Sequence, residues 1–220
     1  MVKQVSAAIF DIDHTLTRHA TPIRCVLSNL SGGQIPLKFC FSIVRPYFNY
    51  KKGKMNLDNC DNLVEGMEGI GKEELMAMGR SSFEKYHKKD LYRDMVDLIH
   101  DYKKAGIPVI LATSSPRFVV QSYYDYLEAD HLICTELDFN EDDIFTGKFR
   151  GTVAFDKGKQ ILLEAYIREN GYDPAKCAFY TDSIHDLHTM EMVGHPVAVN
   201  PDGRLRKRAL KSSWDIIDCR

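Results

Sequence analysis

Short runs of consecutive apolar residues alternate with longer amphipathic stretches along most of the chain. The runs lie at residues 7–10, 107–112, 131–134, 177–180 and 196–199. Apolar runs this short, without alternation, are typical of parallel strands that are covered on both faces. Helical periodicity fills residues 95–105 and 157–170, and a glycine follows each of these stretches. Alternating strands and helices predict a mostly parallel sheet with right-handed crossovers.

Residues 17–90 have a different pattern, with helical segments broken by Gly, Pro and Asn and no strand-like run. Residues 34–48 are rich in large apolar side chains and predict a buried bundle helix that Pro46 ends or kinks. An apolar face toward a membrane, a partner or a lipid-like substrate is the alternative. A second amphipathic helix is expected from residue 71 to about 88, and residues 135–149 predict a hairpin or loop.

The expected fold is therefore α/β, a Rossmann-like, mostly parallel sheet core with an inserted α-helical bundle cap. The core would comprise residues 1–16 and 91–220, and the cap residues 17–90. A chain of 220 residues is long enough for this arrangement.

Polar side chains end most of the predicted strands. Asp11, Thr113, Asp182 and Asn200 each follow an apolar run. The carboxyl ends of parallel strands share one edge of the sheet, so these side chains are expected to converge there. Asp11 and Asp13 are also close enough to repel each other, which favours a hard cation such as Mg²⁺. A helix N-cap is the simpler interpretation of a single Asp, but not of the whole string.

Other residues near these ends suit phosphate chemistry. Asp186 adds a further carboxylate, and Thr113 with Ser114 offers a hydroxyl and backbone amides at a strand-to-helix turn. A lysine would complete the neutralisation of a phosphoryl group, and Lys157 and Lys159 both open the next helix.

Composition and charge narrow the class of protein. The hydrophobic content of 44%, the charged content of 27% and the net charge of −2 are those of an ordinary globular protein. They predict no general attraction to nucleic acid or to an anionic membrane. Six scattered cysteines and the absence of a signal peptide predict free thiols and a cytoplasmic location. No apolar run approaches the ~18 residues that a membrane span needs.

Three other patterns in the chain do not predict a further functional site. Residues 66–72 have the glycine and lysine spacing of a P-loop, but Glu73 stands where a hydroxyl is needed and no buried strand precedes them. His185 and His188 flank Asp186 without other zinc ligands. The basic run at residues 204–208 has no interleaved aromatic residues and predicts a solvated helix face.

The chain resembles the phosphatases of the haloacid dehalogenase superfamily over essentially its whole length. The family's Asp-x-Asp-x-Thr-Leu motif is matched by residues 11–16, and its strand-ending hydroxyl by Thr113. Its lysine is matched best by Lys157, and its acidic pair by Asp182 and Asp186. The helical insertion, the hairpin around Gly147 and the segment 195–201 resemble the phosphoserine phosphatase-like branch.

The resemblance implies a magnesium-dependent phosphomonoesterase. Asp11 would attack phosphorus and form an aspartyl-phosphate, and Asp13 would protonate the leaving oxygen and later deprotonate water. Mg²⁺ would be held by Asp11, the Asp13 carbonyl and Asp182, while Asp186 would hold a metal-bound water or orient Lys157. Thr113, the Ser114 amide and Lys157 would bind the phosphate oxygens. Asp13 argues against dehalogenase chemistry, because dehalogenases lack the second Asp.

Several positions depart from the family pattern. His14 replaces a small residue and Thr181 replaces a glycine. The branch holds the substrate ammonium with a Glu early in the cap, but residues 19–23 contain no acid, which argues against phosphoserine. His19, Arg24 and Arg45 are basic cap residues that could contact a substrate or be solvated.

The expected partner is a small phosphorylated metabolite, and the sequence does not specify the oligomeric state. A phosphotransferase or phosphomutase and a catalytically silent phosphate-binding module are the alternative functions. A receiver domain is a poor match, since such domains are much shorter and lack a helical insertion.

Overall fold

A computed structural model of the chain describes residues 3–30 and 67–219. Its strands are β1 (Ala7–Phe10), β2 (Val109–Pro116), β3 (His131–Thr135), β4 (Leu137–Phe139), β5 (Phe145–Phe149), β6 (Cys177–Thr181), β7 (His195–Val199) and β8 (Asp215–Ile217). Six of them form one sheet in the order β3-β2-β1-β6-β7-β8, with every neighbouring pair parallel. The predicted α/β class with a mostly parallel sheet is thereby confirmed.

Helices connect the strands and also lie between β1 and β2. They are α1 (Thr21–Leu30), α2 (Lys72–Ser82), α3 (Lys88–Asp90), α4 (Arg93–Lys104), α5 (Arg117–Leu127), α6 (Lys157–Glu169), α7 (Leu187–Met192) and α8 (Gly203–Ser212). A π-helical turn, Phe83–His87, joins α2 to α3. Short 3₁₀ turns span Pro174–Lys176 and Ile184–Asp186.

The sheet is covered by apolar helix faces on both sides. In β1, Ala8 and Phe10 belong to the apolar cluster that contains the buried faces of α4 and α5. Ala7 and Ile9 belong to a second cluster with the buried faces of α6, α7 and α8. All four side chains are fully buried, which explains why β1 is a continuous apolar run rather than an alternating one.

The chain leaves the sheet after β1 and returns before α4 through one narrow neck. Thr17 and Leu91 form an antiparallel bridge there. The Arg18 amide donates to the Asp90 carbonyl at 3.0 Å, and the Tyr92 amide donates to the Leu16 carbonyl at 2.8 Å. The neck falls at the boundary expected between core and cap, and the division into two domains remains a prediction. Residues 34–48, with Pro46, lie outside the described residues.

The strands differ from the sequence prediction at two places. β2 extends to Pro116 rather than ending at residue 112. β8 was not predicted, since three residues carry no periodic signal; it exists through its pairing with β7. The predicted hairpin is confirmed, because β4 and β5 pair antiparallel.

The segment that has P-loop spacing packs on this hairpin, where the Gly69 amide donates to the Phe145 carbonyl at 3.1 Å. Cys25, Cys134, Cys177 and Cys219 are free thiols, while Cys40 and Cys60 lie outside the described residues. Within residues 3–30 and 67–219, no helix has the length and apolar character needed to span a membrane.

Candidate active site

The ends of three adjacent strands, β2, β1 and β6, carry the acidic and hydroxyl side chains that the sequence singled out. Asp11 follows β1, and its amide donates to the Tyr180 carbonyl in β6 at 2.9 Å. Thr113 lies within β2, three residues before the strand ends at Pro116, and Asp182 directly follows β6. Asn200 does not join them. Its side chain accepts the Cys219 amide at 2.8 Å beyond β8, so it has a structural role at the far edge.

A buried lysine joins two of the carboxylates. Lys159 Nζ lies 3.0 Å from Asp11 Oδ1 and 2.8 Å from Asp186 Oδ1. These three residues are only 3–5% exposed. Thr181 Oγ1 donates to Asp186 Oδ2 at 2.6 Å, so the residue that departs from the family's glycine supports the cluster. We call Asp11, Lys159 and Asp186 the charged cluster.

Of the two lysines that open α6, Lys159 lies beside Asp11, and not Lys157, which matches the family's lysine best in the sequence. Lys157 is exposed at the first position of α6. Two residues on a helix differ by about 200° in direction, so only one of the two lysines can face the sheet. Gly158 permits the close approach of the helix, because a Cβ there would lie 2.0 Å from the Val153 carbonyl oxygen.

The pKa values of the charged cluster follow from burial and charge. Burial raises the pKa of Asp11 to about 7; the Lys159 ammonium opposes this shift, and the carboxylates of Asp186 and Asp13 add to it. Burial alone would lower the pKa of Lys159, but Asp11 and Asp186 outweigh it and raise that pKa. Lys159 is therefore a permanent cation beside Asp11.

Asp13 has separate partners. Its Oδ1 accepts the Thr21 amide at the start of α1. Its Oδ2 accepts Ser115 Oγ at 2.6 Å and Thr113 Oγ1 at 3.3 Å. On a strand, residues two positions apart point to the same face. Asp11 and Asp13 follow the end of β1 at Phe10, so this rule does not apply to their side chains. Asp11 is thus bound to a buried ammonium, whereas Asp13 is held by neutral donors.

The turn after Asp13 and two hydroxyl residues were not assigned roles from the sequence. His14 has a φ of 58°, a left-handed conformation in which His is more common than most residues. Thr21 Oγ1 donates to Ser115 Oγ at 3.1 Å, so both residues support Asp13. The role of Ser115 could have been predicted from the sequence, because residues two positions apart on a strand, here Thr113 and Ser115, point to the same face.

The carboxylates at this edge of the sheet repel one another, and a divalent cation would relieve that repulsion. Burial raises the pKa of Asp182 well above its usual value, and Asp11, Asp186 and Asp13 add to the shift while Lys159 opposes it. One lysine does not balance four carboxylates, and carboxylate oxygens are the ligands that Mg²⁺ prefers.

Lys159 and Thr181 contact both carboxylate oxygens of Asp186, whereas Lys159 lies beside only Oδ1 of Asp11. Asp11 and Asp182 are therefore the side chains better placed to bind a cation. The described part of the chain contains no cluster of three or more His, Cys, Asp or Glu side chains arranged for a metal ion. A site here would take two carboxylates, the Asp13 carbonyl and water. The assignment of Asp11, Asp13, Asp182 and Asp186 to a metal site remains a prediction.

The other residues discussed from sequence lie away from the carboxylates or pair with acids. His19 Nε2 and Arg24 Nε lie 3.9 and 3.3 Å from Asp90 Oδ2 at the neck, while Arg45 is outside the described residues. The Ser114 carbonyl accepts Thr135 Oγ1 at 2.7 Å, which fixes the end of β2. His188 lies 3.7 Å from Asp156, and Arg208 pairs with Glu191 at 2.6 Å.

The family model for haloacid dehalogenase-like hydrolases matches residues 8–191, and the chain belongs to this family. The family predicted from the motif at residues 11–16 is confirmed, and with it the assignment of the chain as a hydrolase.

One curated relative and two solved structures are similar to the chain along almost its whole length. A histidinol-phosphatase of Neisseria meningitidis serogroup C (strain 8013) is 26% identical over 219 residues, covering 96% of this chain and 97% of the relative. A protein of unknown function from Bordetella pertussis Tohama I has a similar fold, with a TM-score of 0.85 at 23% identity over 98% of this chain and 99% of that one. A substrate-bound phosphoserine phosphatase has a similar fold, with a TM-score of 0.73 at 16% identity over 98% of this chain and 93% of that one.

Proposed function

We propose that the chain is a magnesium-dependent phosphatase that hydrolyses a small phosphomonoester through an aspartyl-phosphate. The observation that carries the proposal is the pair of carboxylates with unlike partners. Asp11 is bound by Lys159 in a buried cluster, while Asp13 is held by the hydroxyls of β2 and the first turn of α1. A nucleophile and a general acid–base need such different surroundings.

In the proposed first step, an Asp11 carboxylate oxygen attacks phosphorus and the bond from phosphorus to the ester oxygen breaks. Asp13 donates its proton to that oxygen, so the alcohol leaves neutral. In the second step, Asp13 takes a proton from water as the water oxygen attacks phosphorus. The bond to Asp11 then breaks and inorganic phosphate is released, which restores both residues.

Lys159 stabilises negative charge in both steps. Its ammonium lies 3.0 Å from Asp11 Oδ1 and can neutralise charge on the phosphoryl oxygens beside it. Asp186 and Thr181 hold the lysine in place. Mg²⁺ bound to Asp11, Asp182 and the Asp13 carbonyl would neutralise phosphate charge and orient the phosphoryl group.

The substrate belongs to the class of small phosphomonoesters. Relatives are named for two such reactions, a histidinol-phosphatase and a phosphoserine phosphatase. Within residues 3–30 and 67–219, the acid that pairs with His19 and Arg24 is Asp90, whose charge is offset by Arg24 at 3.3 Å. A substrate ammonium would have to compete with that arginine, so phosphoserine is a poor expectation. We propose a cytoplasmic location, as the cysteine pattern suggested.

The test is release of phosphate from p-nitrophenyl phosphate in the presence and absence of Mg²⁺. We expect Asp11→Asn to abolish turnover, because an amide is a far weaker nucleophile than a carboxylate. Asp101→Asn, an exposed change on α4, should retain full activity. Thermal unfolding of both variants separates lost chemistry from lost structure. Full activity of a folded Asp11→Asn protein would overturn the proposed mechanism.

The same assay distinguishes the alternative functions. A phosphotransferase would deliver the phosphoryl group to an added alcohol and release little free phosphate. A silent module would bind phosphate without turnover, and the intact charged cluster argues against it, since binding alone does not require a buried nucleophile. A screen of phosphorylated metabolites that includes phosphoserine would then identify the substrate.

A further inference from the structure

A second buried polar group lies near Asp13 and outside the charged cluster. His87 is 1% exposed and contacts two other buried residues. Its Nε2 lies 2.7 Å from Ser82 Oγ, and its Nδ1 lies 2.7 Å from the Tyr123 hydroxyl. Burial lowers the pKa of His87 to about 4, so the imidazole is neutral near pH 7. We call Ser82, His87 and Tyr123 the neutral network; the proposed mechanism does not use it.

The π-helical turn creates this network. Ser82 and His87 are five positions apart, which in an α-helix would turn their side chains about 140° away from each other. The wider π-turn pairs residues at this spacing, and such turns are common at functional sites. Phe83 in the same turn packs edge-to-face on Tyr123, with ring centroids 4.9 Å apart. The turn therefore places a histidine where a regular helix would not.

The neutral network reaches Asp13 by two routes. On one side, Ser28 Oγ in α1 donates to Ser82 Oγ at 2.9 Å, and the first residue of the same helix, Thr21, donates its amide to Asp13 Oδ1. On the other side, the Tyr123 hydroxyl is within hydrogen-bond reach of the Thr17 hydroxyl. The Thr17 backbone forms a bridge with Asp13.

We propose that His87 and Tyr123 are positioning residues that hold the Asp13 carboxylate in place for proton transfer to the leaving group. This inference rests on the proposed function, because it assigns a support to the general acid of that reaction. Neither residue is assigned a contact with substrate. They act by fixing α1, whose first residue donates its amide to the Asp13 carboxylate, and the loop at Thr17, whose backbone pairs with that of Asp13.

The test compares two aryl phosphates of similar shape. p-Nitrophenolate leaves without a proton because the nitro group stabilises its charge, whereas phenolate is a poorer leaving group and needs the general acid. The value of kcat/KM reports the first step, so the two substrates isolate proton donation from hydrolysis of the intermediate. Displacing the Asp13 carboxylate should therefore slow phenyl phosphate more than p-nitrophenyl phosphate.

Tyr123→Phe removes one hydroxyl from the neutral network and keeps the ring. We expect kcat/KM for phenyl phosphate to fall about tenfold, and that for p-nitrophenyl phosphate by less than about twofold, since small displacements of a catalytic group are costly. Tyr102→Phe is the matched control. Tyr102 is also fully buried, and its hydroxyl bonds Tyr180 at 2.6 Å in the core, away from Asp13. Tyr102→Phe should leave the ratio of kcat/KM for phenyl phosphate to kcat/KM for p-nitrophenyl phosphate unchanged.

A second pair of variants guards against a general folding defect. His87→Leu should shift the substrate ratio as Tyr123→Phe does, and His87→Gln, which keeps an amide donor and acceptor, should restore part of it. Equal losses for both substrates, or the same shift in Tyr102→Phe, would overturn the positioning role. If the wild-type protein hydrolyses neither substrate with Mg²⁺, the proposed function fails, and this inference fails with it.

Discussion

The charged cluster and the neutral network are both buried, both consist of three side chains, and both lie near Asp13. In the charged cluster, one ammonium lies 2.8–3.0 Å from two carboxylates. In the neutral network, an imidazole lies 2.7 Å from two hydroxyls. Burial acts on both in the same direction, against charge, but only the first has opposite charges that offset it.

This difference separates chemistry from support. Ions in a buried site are costly to keep, and a site that transfers a phosphoryl group needs them, because its transition state is itself highly charged. A support needs only fixed geometry, which neutral hydrogen bonds supply at a lower desolvation cost. Asp13 influences both groups, since its charge raises the pKa values of Asp11 and His87.

After the loss of turnover expected for Asp11→Asn, the largest effect is expected at Asp13. Asp13→Asn keeps the shape of the side chain and leaves both buried groups intact, but it removes the proton donor. We expect kcat for phenyl phosphate to fall about 10²–10⁴-fold, the usual cost of losing a general acid–base group. Steady-state kinetics with Asp94→Asn, an exposed change in α4, provides the control. Near wild-type activity of Asp13→Asn would mean that Asp13 is structural.

A somewhat smaller loss of activity is expected in the charged cluster. Lys159→Met removes the ammonium, so kcat should fall about 10²–10³-fold, as when one preorganised charge donor is lost. The uncompensated carboxylates should also lower the free energy of unfolding by about 3 kcal/mol, measured by denaturant titration. Lys157→Met, two positions away and exposed, should change neither quantity. The reverse result would restore Lys157 as the phosphate lysine.

The smallest effect concerns stability and pH in the neutral network. Burial in the folded state lowers the pKa of His87 from its ordinary value of 6.5 to about 4. The unfolded chain therefore binds more protons between these two values, and stability should fall as pH decreases from about 6.5 to about 4. The charges of Asp13 and Asp90 reduce the shift, while those of Arg24 and His19 add to it.

Denaturant titrations across this pH range check the effect. His87 should account for at most about 3 kcal/mol of the decrease in the free energy of unfolding, and this contribution should be absent in His87→Phe. His100→Asn, an exposed change in α4, should retain the wild-type slope. An unchanged slope in His87→Phe would mean that the imidazole is not held neutral by burial.

Strand positions and the family motif could be predicted because they depend on local pattern. Residues 7–10 are apolar on both faces since helices cover both faces, and Asp11 and Asp13 follow in a recognisable string. The choice between Lys157 and Lys159 could not be made in this way. It depends on the direction in which α6 meets the sheet, and Gly158 with the Val153 carbonyl sets that approach.

The sequence by itself determined the α/β class, the family and the strand ends at which the carboxylates lie, because apolar periodicity and a short motif encode them locally. Tertiary structure alone decided which lysine is buried, that Ser115 and Thr21 hold Asp13, and that a π-turn brings His87 beside Tyr123. Each of these contacts joins residues from different elements, and the packing of those elements fixes which side chains meet. A linear pattern does not contain that information.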